Sequence, residues 1–501
     1  MKSIELYNDY TAKMQKIADV KYASAVLQWD QETYLPPKGN SIRGKQIATL
    51  TEIAHRQFTD EKTGHLLNEL AATNDLPDTQ KRNVQLSLED YSKATKFTSD
   101  FVRKMSETTN KSFHAWIQAR KENSFAAFQQ PLHELIELKK QEADILGYEN
   151  HPYNALMNEY DKGLTVAIVD TIFANLQPQL SVLLDDIKNK PQVDNSFLQQ
   201  HFDKDQQWKF GIEILKRMQF DFEAGRQDLS EHPFTTNFNN ADVRVTTRID
   251  ETDFSNMLWS CIHEGGHALY EQGLPGEAYG LPLGEYCSLS IHESQSRLWE
   301  NNIGRALPFW QHNFSLAKTF FPKQFGKINE GDFYRAINKV QPSLIRTEAD
   351  ELTYHFHVMI RYEIEKMLIE GSITTKDIPA YWNEHYDKYL GVKVPDDKRG
   401  CLQDVHWSHG SFGYFATYSL GSLYAAQLYA AIGKENDSVE KEIASGNNST
   451  ILNWLKKNIY PYGRYFTSEE LCKKASGETL NSTHFIQYAT KKYTAIYNSQ
   501  T

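Results

Sequence analysis

The segment His263-Glu264-Gly265-Gly266-His267 places two imidazoles and a carboxylate at a spacing that can bind and use a metal ion. Residues four positions apart on an α-helix project from one face, so His263 and His267 can reach the same ion. Zinc–nitrogen bonds are only about 2.0–2.1 Å long, so both ligands must converge from a rigid backbone. In this motif Glu264 stands beside the ion and can accept a proton from water, which is general-base chemistry.

A catalytic zinc site usually has three protein ligands and one open position. Glu293 is the next candidate ligand, and the neighbouring His292 is an alternative ligand. The other explanation for His292 is that it only packs or forms hydrogen bonds. The Gly- and Pro-containing stretch 272–288 can turn the chain back, so we expect a second helix starting near Ser288. No H-x-x-G-x-x-H extension follows His267, which disfavours a three-histidine site. The pattern therefore predicts a site of two histidines and Glu293.

The motif itself needs a helix that begins shortly before it. The segment Thr252-Asp253-Phe254-Ser255 offers N-cap residues for that helix. Gly265 and Gly266 disagree with a helix interior, since each glycine costs about 1 kcal/mol relative to alanine there. Two adjacent glycines indicate a close approach to the backbone, either by a substrate or by a tightly packed helix. Both explanations remain open at this level.

The segment before the predicted helix has the pattern of a β-hairpin. Residues 234–238 and 243–249 alternate and are rich in β-branched side chains, and residues 239–242 between them suit a turn. An edge strand of this hairpin could pair with an extended peptide, or the sheet could be purely structural. Long helical patterns dominate elsewhere, for example residues 352–369 followed by Gly371. The expected fold is mainly α with a small sheet.

The composition is that of a large globular protein. Charged residues make up 24% of the 501 and hydrophobic residues 40%, which separates the chain from disordered sequences. A net charge of −11 argues against nucleic acid as a partner. The first residues lack the apolar core of a signal peptide, and we expect no stretch that approaches the about 20 apolar residues of a membrane span. The four cysteines have no paired spacing, which fits a reducing cytoplasm.

Six motifs in order resemble those of the M32 metallocarboxypeptidases, the thermostable carboxypeptidase Taq family. They are HPF at 232–234, DVRVT at 242–246, HEGGH at 263–267, HESQ at 292–295, IRTEADE at 345–351 and GCLQDVHW at 400–407. Trp29-Asp30, followed by Leu35-Pro36 and Arg43, is also similar to the family. The resemblance extends from about Tyr7 to about Tyr493.

This resemblance implies a large helical, gluzincin-like metallopeptidase with a deep substrate groove and a small sheet next to the zinc helix. It implies a cytoplasmic enzyme that removes single residues from the free C-terminus of peptides with Zn²⁺, for which Co²⁺ can substitute. Members are commonly homodimers. We expect one peptidase unit over residues 1–501, or two helical lobes, with a helical region at about 1–190 and a catalytic region at about 207–501.

Analogy with related helical zinc peptidases assigns further catalytic roles near the end of the chain. His409 and Tyr418 are the favoured donors to the oxyanion, and Tyr414 and His406 follow as substrate-binding residues. Core packing is the alternative explanation for each of these aromatic side chains.

An exopeptidase must also bind the terminal carboxylate of its substrate, and arginine does so in a bidentate manner. Arg346 is the first candidate, partly from the family motif, and Arg244 is the second. The alternative for Arg346 is an internal salt bridge to one of three acids, Glu348, Asp350 or Glu351. The ligand histidines also need acceptors for their second N–H, for which the candidates are Asp242, Asp350 and Asp404.

Three other functions agree with parts of the pattern. A helical zinc oligopeptidase would cut internal bonds, so amidation of the peptide C-terminus would leave its cleavage unchanged. A non-haem iron oxygenase also uses two histidines and a carboxylate, but it needs no general base and would tolerate Glu264→Gln. A catalytically silent peptide-binding module is the third alternative, which metal analysis and a peptide assay would identify.

Overall fold

The computed structural model of the protein describes residues 2–498. Helices make up 69% of the structure, and the strands form a single small sheet among the described residues, which confirms the expected mainly α fold. The α-helices are α1 (Lys2–Thr33), α2 (Asn40–Thr59), α3 (Glu61–Ala71), α4 (Asp78–Ala94), α5 (Ser99–Glu122), α6 (Ala126–Leu146), α7 (Tyr153–Met157), α8 (Val166–Lys188), α9 (Lys204–Arg217), α10 (Phe254–Gly273), α11 (Leu289–Arg297), α12 (Leu307–Phe320), α13 (Pro322–Phe325), α14 (Glu330–Ala336), α15 (Tyr354–Glu370), α16 (Ile378–Leu390), α17 (Phe415–Glu435), α18 (Val439–Ala444), α19 (Ser449–Asn458), α20 (Ser468–Ser476) and α21 (Thr483–Asn498).

The sheet has three strands, β1 (Gly225–Leu229), β2 (Thr235–Asn239) and β3 (Asp242–Thr247), in the order β1-β3-β2. β2 and β3 are antiparallel and form the predicted hairpin, and both contact α10. β1 pairs with β3 in parallel and was not predicted. Its sequence, GRQDL, has no β-branched residue and carries two charges, so it lacks the composition that predicts a strand.

The chain divides into two compact units, each built from three stretches of sequence. Unit 1 contains Met1–Thr95, Asn195–Ile337 and Leu428–Thr479, and unit 2 contains Lys96–Asp194, Asn338–Gln427 and Leu480–Thr501. The expected division into a helical region at about 1–190 and a catalytic region at about 207–501 stays a prediction.

In unit 1, α10 lies in the core and is anchored at its first turn. The Asp253 side chain caps the helix by accepting a hydrogen bond from the Ser255 N–H at 2.8 Å, as the N-cap prediction requires. Phe254 follows at once and is fully buried among aromatic rings, including Phe202 and Phe325 at centroid distances of 5.1 and 5.0 Å. The start of the motif helix is therefore fixed both by its cap and by packing.

The two glycines of the motif are explained by close helix packing. A Cβ on Gly265 would stand 2.6 Å from a methyl group of Leu215 in α9. A Cβ on Gly266 would stand 2.7 Å from the backbone of Gln295 and Ser296 in α11. Of the two explanations left open by the sequence, a packed neighbour accounts for both positions, since only glycine permits these approaches.

Unit 2 is organised around α15, most of whose residues are buried. The helix ends at Gly371, which adopts φ +88°, as the stop signal in the sequence predicts. α8 packs against α15 and α21 in the same unit.

One expectation about hydropathy was wrong. α8 is long and apolar enough, by length and composition, to meet the criterion for a membrane span, with a mean hydropathy of 1.2. A single helix of this kind is weak evidence for a span, because core helices meet the same criterion. Its buried residues, which include Val169, Ile172, Phe173 and Leu176, recur at helical spacing and form one packed face.

Candidate metal centre

The structure brings His263, His267 and Glu293 together in unit 1. The Nε2 atoms of His263 and His267 lie 3.6 and 3.5 Å from Glu293 Oε2, and the three ligand atoms lie within 4.8 Å of one another. Ligands at about 2.1 Å from a tetrahedral ion are about 3.4 Å apart. The spacing and the donor types therefore fit one small divalent metal ion.

Packing of α10 against α11 produces this arrangement. α11 starts at Ser288, whose Oγ accepts a hydrogen bond from the Ile291 N–H at 3.1 Å, so the predicted second helix begins where the sequence indicates. Glu293 lies in its second turn. Because Gly266 has no side chain, the α11 backbone at Gln295 can approach α10 closely, which carries Glu293 toward the histidines.

A buried carboxylate orients the first histidine. Glu300 Oε2 lies 2.9 Å from His263 Nδ1, which leaves Nε2 directed at Glu293. Glu300 is itself held by Arg297 and Arg305, whose side chains lie 3.2 Å from its two oxygens. This is the acceptor that a metal-binding imidazole requires.

At His263 the acceptor is none of the three sequence-based candidates. Asp242 pairs with Arg244 at 2.9 Å. Asp350 accepts hydrogen bonds from Thr353, and Asp404 lies between two arginines. These carboxylates are occupied by other partners, while Glu300 takes the role at His263.

Charge and burial prepare the three groups to bind a cation. Burial, reinforced by the neighbouring His292, lowers the pKa of His267 to about 3, so its imidazole is neutral at pH 7. Burial opposes the charge of Glu293, but Arg297, which donates to Oε1 at 2.7 Å, holds the pKa of Glu293 below its usual value. Burial likewise disfavours a charged His263, yet the carboxylates of Glu293 and Glu300 raise its pKa above the ordinary value, so a proton and a metal ion compete for this imidazole.

Glu264 lies on the same helix between the histidines and is only 8% exposed. Its Oε2 accepts a hydrogen bond of 2.6 Å from Thr235 in β2. Burial raises the pKa of Glu264 above its ordinary value. A carboxylate with a greater affinity for protons beside the ligand set is suited to accept a proton from water.

His292 is a supporting residue in this structure. Its Nε2 lies 2.8 Å from Glu271 Oε1, and its ring stacks on His267 at a centroid distance of 4.4 Å. Glu271 also accepts a hydrogen bond from Asn237. Hydrogen bonding and packing, the second explanation considered for His292, account for its position.

In unit 2, Arg346 is engaged in a buried ion pair. Its Nε and Nη2 donate to Asp404 Oδ1 at 3.0 and 2.9 Å, and Arg361 Nε donates to Asp404 Oδ2 at 2.5 Å. The internal partner of Arg346 is thus Asp404, not one of the three nearby acids considered from the sequence. Although burial opposes its charge, Arg346 and Arg361 hold the pKa of Asp404 far below its usual range.

Three other predicted residues are grouped beside Arg346. His406 Nε2 lies 3.1 Å from Tyr418 Oη, and the Arg346 guanidinium lies 4.7 Å from the Tyr418 ring centre. Tyr414 contacts both His406 and Tyr418, at centroid distances of 5.4 and 5.0 Å. Burial, with the charge of Arg346, lowers the pKa of His406 to about 3, so its imidazole is neutral at pH 7.

The remaining two predicted residues have different surroundings. His409 is exposed and its ring packs on Phe113 at 4.8 Å in unit 2. Arg244 lies in β3 of unit 1, where it pairs with Asp242 and stacks on Trp29 at 4.4 Å. The stacking partner belongs to the Trp29-Asp30 motif, so two separate motifs meet at this point.

Sequence reasoning missed Glu300 and Thr235. Glu300 follows Glu293 by seven residues, about two helical turns, which is a signal that an i, i+7 search around the ligand could have found. Thr235 directly follows the HPF motif and carries no chemical signal of its own. Its role depends on the register of β2 beside α10.

Known proteins match this chain over nearly its full length. The family model described as carboxypeptidase Taq (M32) metallopeptidase matches residues 9–493. Carboxypeptidase 1 of Bacillus subtilis (strain 168) is 36% identical over 488 residues, covering 97% of each chain. A solved structure of a protein called CHT has a TM-score of 0.96 at 58% identity, covering 98% of this chain and 99% of that one.

A second solved structure, the M32 carboxypeptidase from Deinococcus radiodurans R1, has a TM-score of 0.97 at 38% identity and covers 99% of this chain and 100% of that one. Sequence identity and structural similarity to these proteins therefore both extend over nearly the full length of the chain. The family model is that of a metal-dependent peptidase. The chain therefore belongs to the carboxypeptidase Taq (M32) family of metallopeptidases, whose enzyme class is metallocarboxypeptidase.

Proposed function

We propose that the protein is a zinc-dependent carboxypeptidase that releases single amino acids from the free C-terminus of peptides, with Glu264 as general base. The observation that supports this most directly is the group of His263, His267 and Glu293, whose ligand atoms lie within 4.8 Å of one another. Glu264 is held on the same helix between the two histidines. Two imidazoles and one carboxylate are the ligands of a catalytic zinc site in several peptidases.

The proposed reaction adds water across the peptide bond. A divalent metal ion bound by these ligands supplies Lewis-acid chemistry, because it polarises the scissile carbonyl and lowers the pKa of water. Glu264 accepts a proton from the water molecule while the oxygen of that water bonds to the carbonyl carbon. Glu264 then passes the proton to the departing nitrogen as the carbon–nitrogen bond breaks. Burial raises the pKa of Glu264 above its ordinary value, which supports the first transfer because the carboxylate accepts a proton more readily.

The residues that we propose to bind the substrate belong to unit 2, except for Arg244 in β3. Arg346 remains the first candidate for the terminal carboxylate, and Arg244 the second. Tyr418 is proposed as an oxyanion donor, together with His409. His406 and Tyr414 are proposed as substrate-binding residues. The hydrogen bond between His406 and Tyr418 supports an ordered phenol in this group.

Several further properties are proposed from the family resemblance. We infer that Zn²⁺ is the resident ion, that Co²⁺ can replace it, and that the enzyme acts in the cytoplasm as a homodimer. Its substrates are peptides, as the enzyme class requires. The donor set of two nitrogens and one oxygen supports a zinc-type ion over magnesium or calcium, which prefer oxygen ligands.

A mass-spectrometric assay with short peptides tests this proposal. Two peptides of one sequence, with a free and an amidated C-terminus, are incubated with the purified protein, with and without a chelator. We expect a ladder shortened one residue at a time from the C-terminus, only for the free peptide and only without the chelator. Equal cleavage of both peptides at internal bonds would identify an oligopeptidase instead.

A further inference from the structure

We propose that Thr235 is a positioning residue that fixes the carboxylate of Glu264 for proton transfer. This inference rests on the proposed function of Glu264 as general base and assigns a role to a residue of the sheet. Thr235 Oγ1 lies 2.6 Å from Glu264 Oε2 and 3.0 Å from the backbone oxygen of Glu264. A hydroxyl has one proton, and the shorter contact to the charged oxygen is the stronger one.

The sheet fixes where the Thr235 hydroxyl can be. Thr235 starts β2 and lies opposite Val245 of β3, whose side chain is fully buried. The preceding residue, Phe234, donates its N–H to Thr246 Oγ1 at 2.9 Å and accepts the Thr246 N–H at 2.9 Å. Threonine is branched at Cβ, so its χ1 is restricted. Pairing with β3 therefore holds the β2 backbone in place, and this fixes the position from which the Thr235 hydroxyl reaches α10.

The general base needs such a partner because its backbone alone does not fix its carboxylate. Helix α10 determines where the Cα of Glu264 lies, but three rotatable bonds separate that atom from the carboxylate oxygens. Because Glu264 is buried, a carboxylate turned away from its hydrogen-bond donor would carry an uncompensated desolvation cost. Because Thr235 donates to Oε2, the other carboxylate oxygen, Oε1, is the atom that accepts the proton from water. The sheet thus contributes one hydroxyl group that orients the general base.

Isosteric replacement tests this role. Thr235→Val keeps the shape and the strand preference and removes the hydroxyl, whereas Thr235→Ser keeps the hydroxyl and removes the methyl group. A hydrogen bond to a charged group corresponds to about a 10- to 100-fold effect on rate. We expect Thr235→Val to lower kcat by this factor with unchanged KM and metal content, and Thr235→Ser to stay within about 3-fold of the wild type. Thr236→Val is the matched control, since it makes the same change on the other face of β2.

Each other outcome overturns the proposal. Full activity of Thr235→Val would show that the hydroxyl is dispensable, and a change in KM alone would indicate a substrate contact. Loss of metal from Thr235→Val would indicate structural support of α10. If Thr235→Val fails to fold, Thr235→Ala replaces it, and equal activity of the Ala and Ser variants would contradict the role. Failure of the proposed function is distinguishable, because the wild-type protein would then show no chelator-sensitive cleavage.

Discussion

Glu300 Oε2 lies 2.9 Å from His263 Nδ1, and both side chains are largely buried. The carboxylate fixes which imidazole nitrogen faces Glu293, so His263 is held with Nε2 toward the other two ligands. Glu300→Gln keeps the shape but weakens this contact. We expect its affinity for zinc to fall about 10- to 100-fold, as for other partners of ligating histidines. Competition with a chromophoric chelator measures this affinity.

Glu330→Gln provides the control for Glu300→Gln. Glu330 is exposed at the start of α14 in the same unit, so the same chemical change there should leave metal affinity unaltered. Equal affinities of the Glu300→Gln variant and the wild type would contradict an orienting role for Glu300.

We predict that metal binding stabilises the folded protein. His263, His267 and Glu293 belong to two helices, so an ion bound by all three favours the folded state and raises the melting temperature. We expect removal of metal by a chelator to abolish activity and lower the melting temperature, and added Zn²⁺ or Co²⁺ to restore both. Glu293→Gln should show the lower melting temperature at the outset and respond little to chelator. A large chelator effect on that variant would remove Glu293 from the ligand set.

Asp404 joins two arginines in the interior of unit 2, and one of them, Arg361, is completely buried. Asp404→Asn would leave two buried cations without their counter-charge. Breaking a buried pair in this way costs about 3–5 kcal/mol of folding free energy. Denaturant unfolding followed by circular dichroism measures the loss.

A surface ion pair gives the comparison for Asp404→Asn. Asp396 pairs with the half-exposed Arg399, and Asp396→Asn should cost far less folding free energy than Asp404→Asn because exposed ion pairs contribute little to stability. If both variants lose similar amounts of folding free energy, the ion pair of Asp404 does not stabilise unit 2 as we describe.

Glu365 predicts a specific dependence of stability on pH. It is buried in unit 2 and accepts hydrogen bonds from Tyr153 Oη, from Trp407 Nε1 at 2.8 Å and from the Gly413 N–H at 2.8 Å. Burial raises the pKa of Glu365 from 4.5 to about 7. Between these values the folded state holds the proton and the unfolded state releases it, so stability falls as pH rises. The loss amounts to about 3 kcal/mol between pH 4.5 and pH 7.

The Glu365→Gln variant lacks this titration. Its free energy of unfolding should therefore decline less than that of the wild type over the same pH interval, whatever constant offset the substitution introduces. Parallel stability curves for the two proteins would mean that Glu365 titrates near its ordinary value in the folded state.

The sequence predicts the features that depend on local spacing. The i, i+4 histidines, the cap at Asp253, the start of α11 after Ser288 and the hairpin of β2 and β3 all follow from nearby residues. The same holds for the mainly α class. Each of these rests on periodicity or on a capping rule within one contiguous segment of the chain.

The features that were missed depend on contacts between distant segments. Asp404 pairs with Arg346 across 58 positions, whereas the sequence-based alternatives for Arg346 were its near neighbours. Thr235 reaches Glu264 across 29 positions because β2 lies against α10. β1 depends on its pairing with β3 and has no strand composition. Such contacts are set by packing of whole elements, which local patterns do not encode.

The central claim is that Glu264 is the general base of a metal-dependent peptidase. The most direct test is to measure kcat/KM on a free peptide and metal content together for Glu264→Gln. We predict an unchanged metal content and a loss of about 10²- to 10⁴-fold in kcat/KM, since the ligands remain while the proton acceptor is removed. A fully metallated Glu264→Gln protein that cleaves peptides at the wild-type rate would contradict the account.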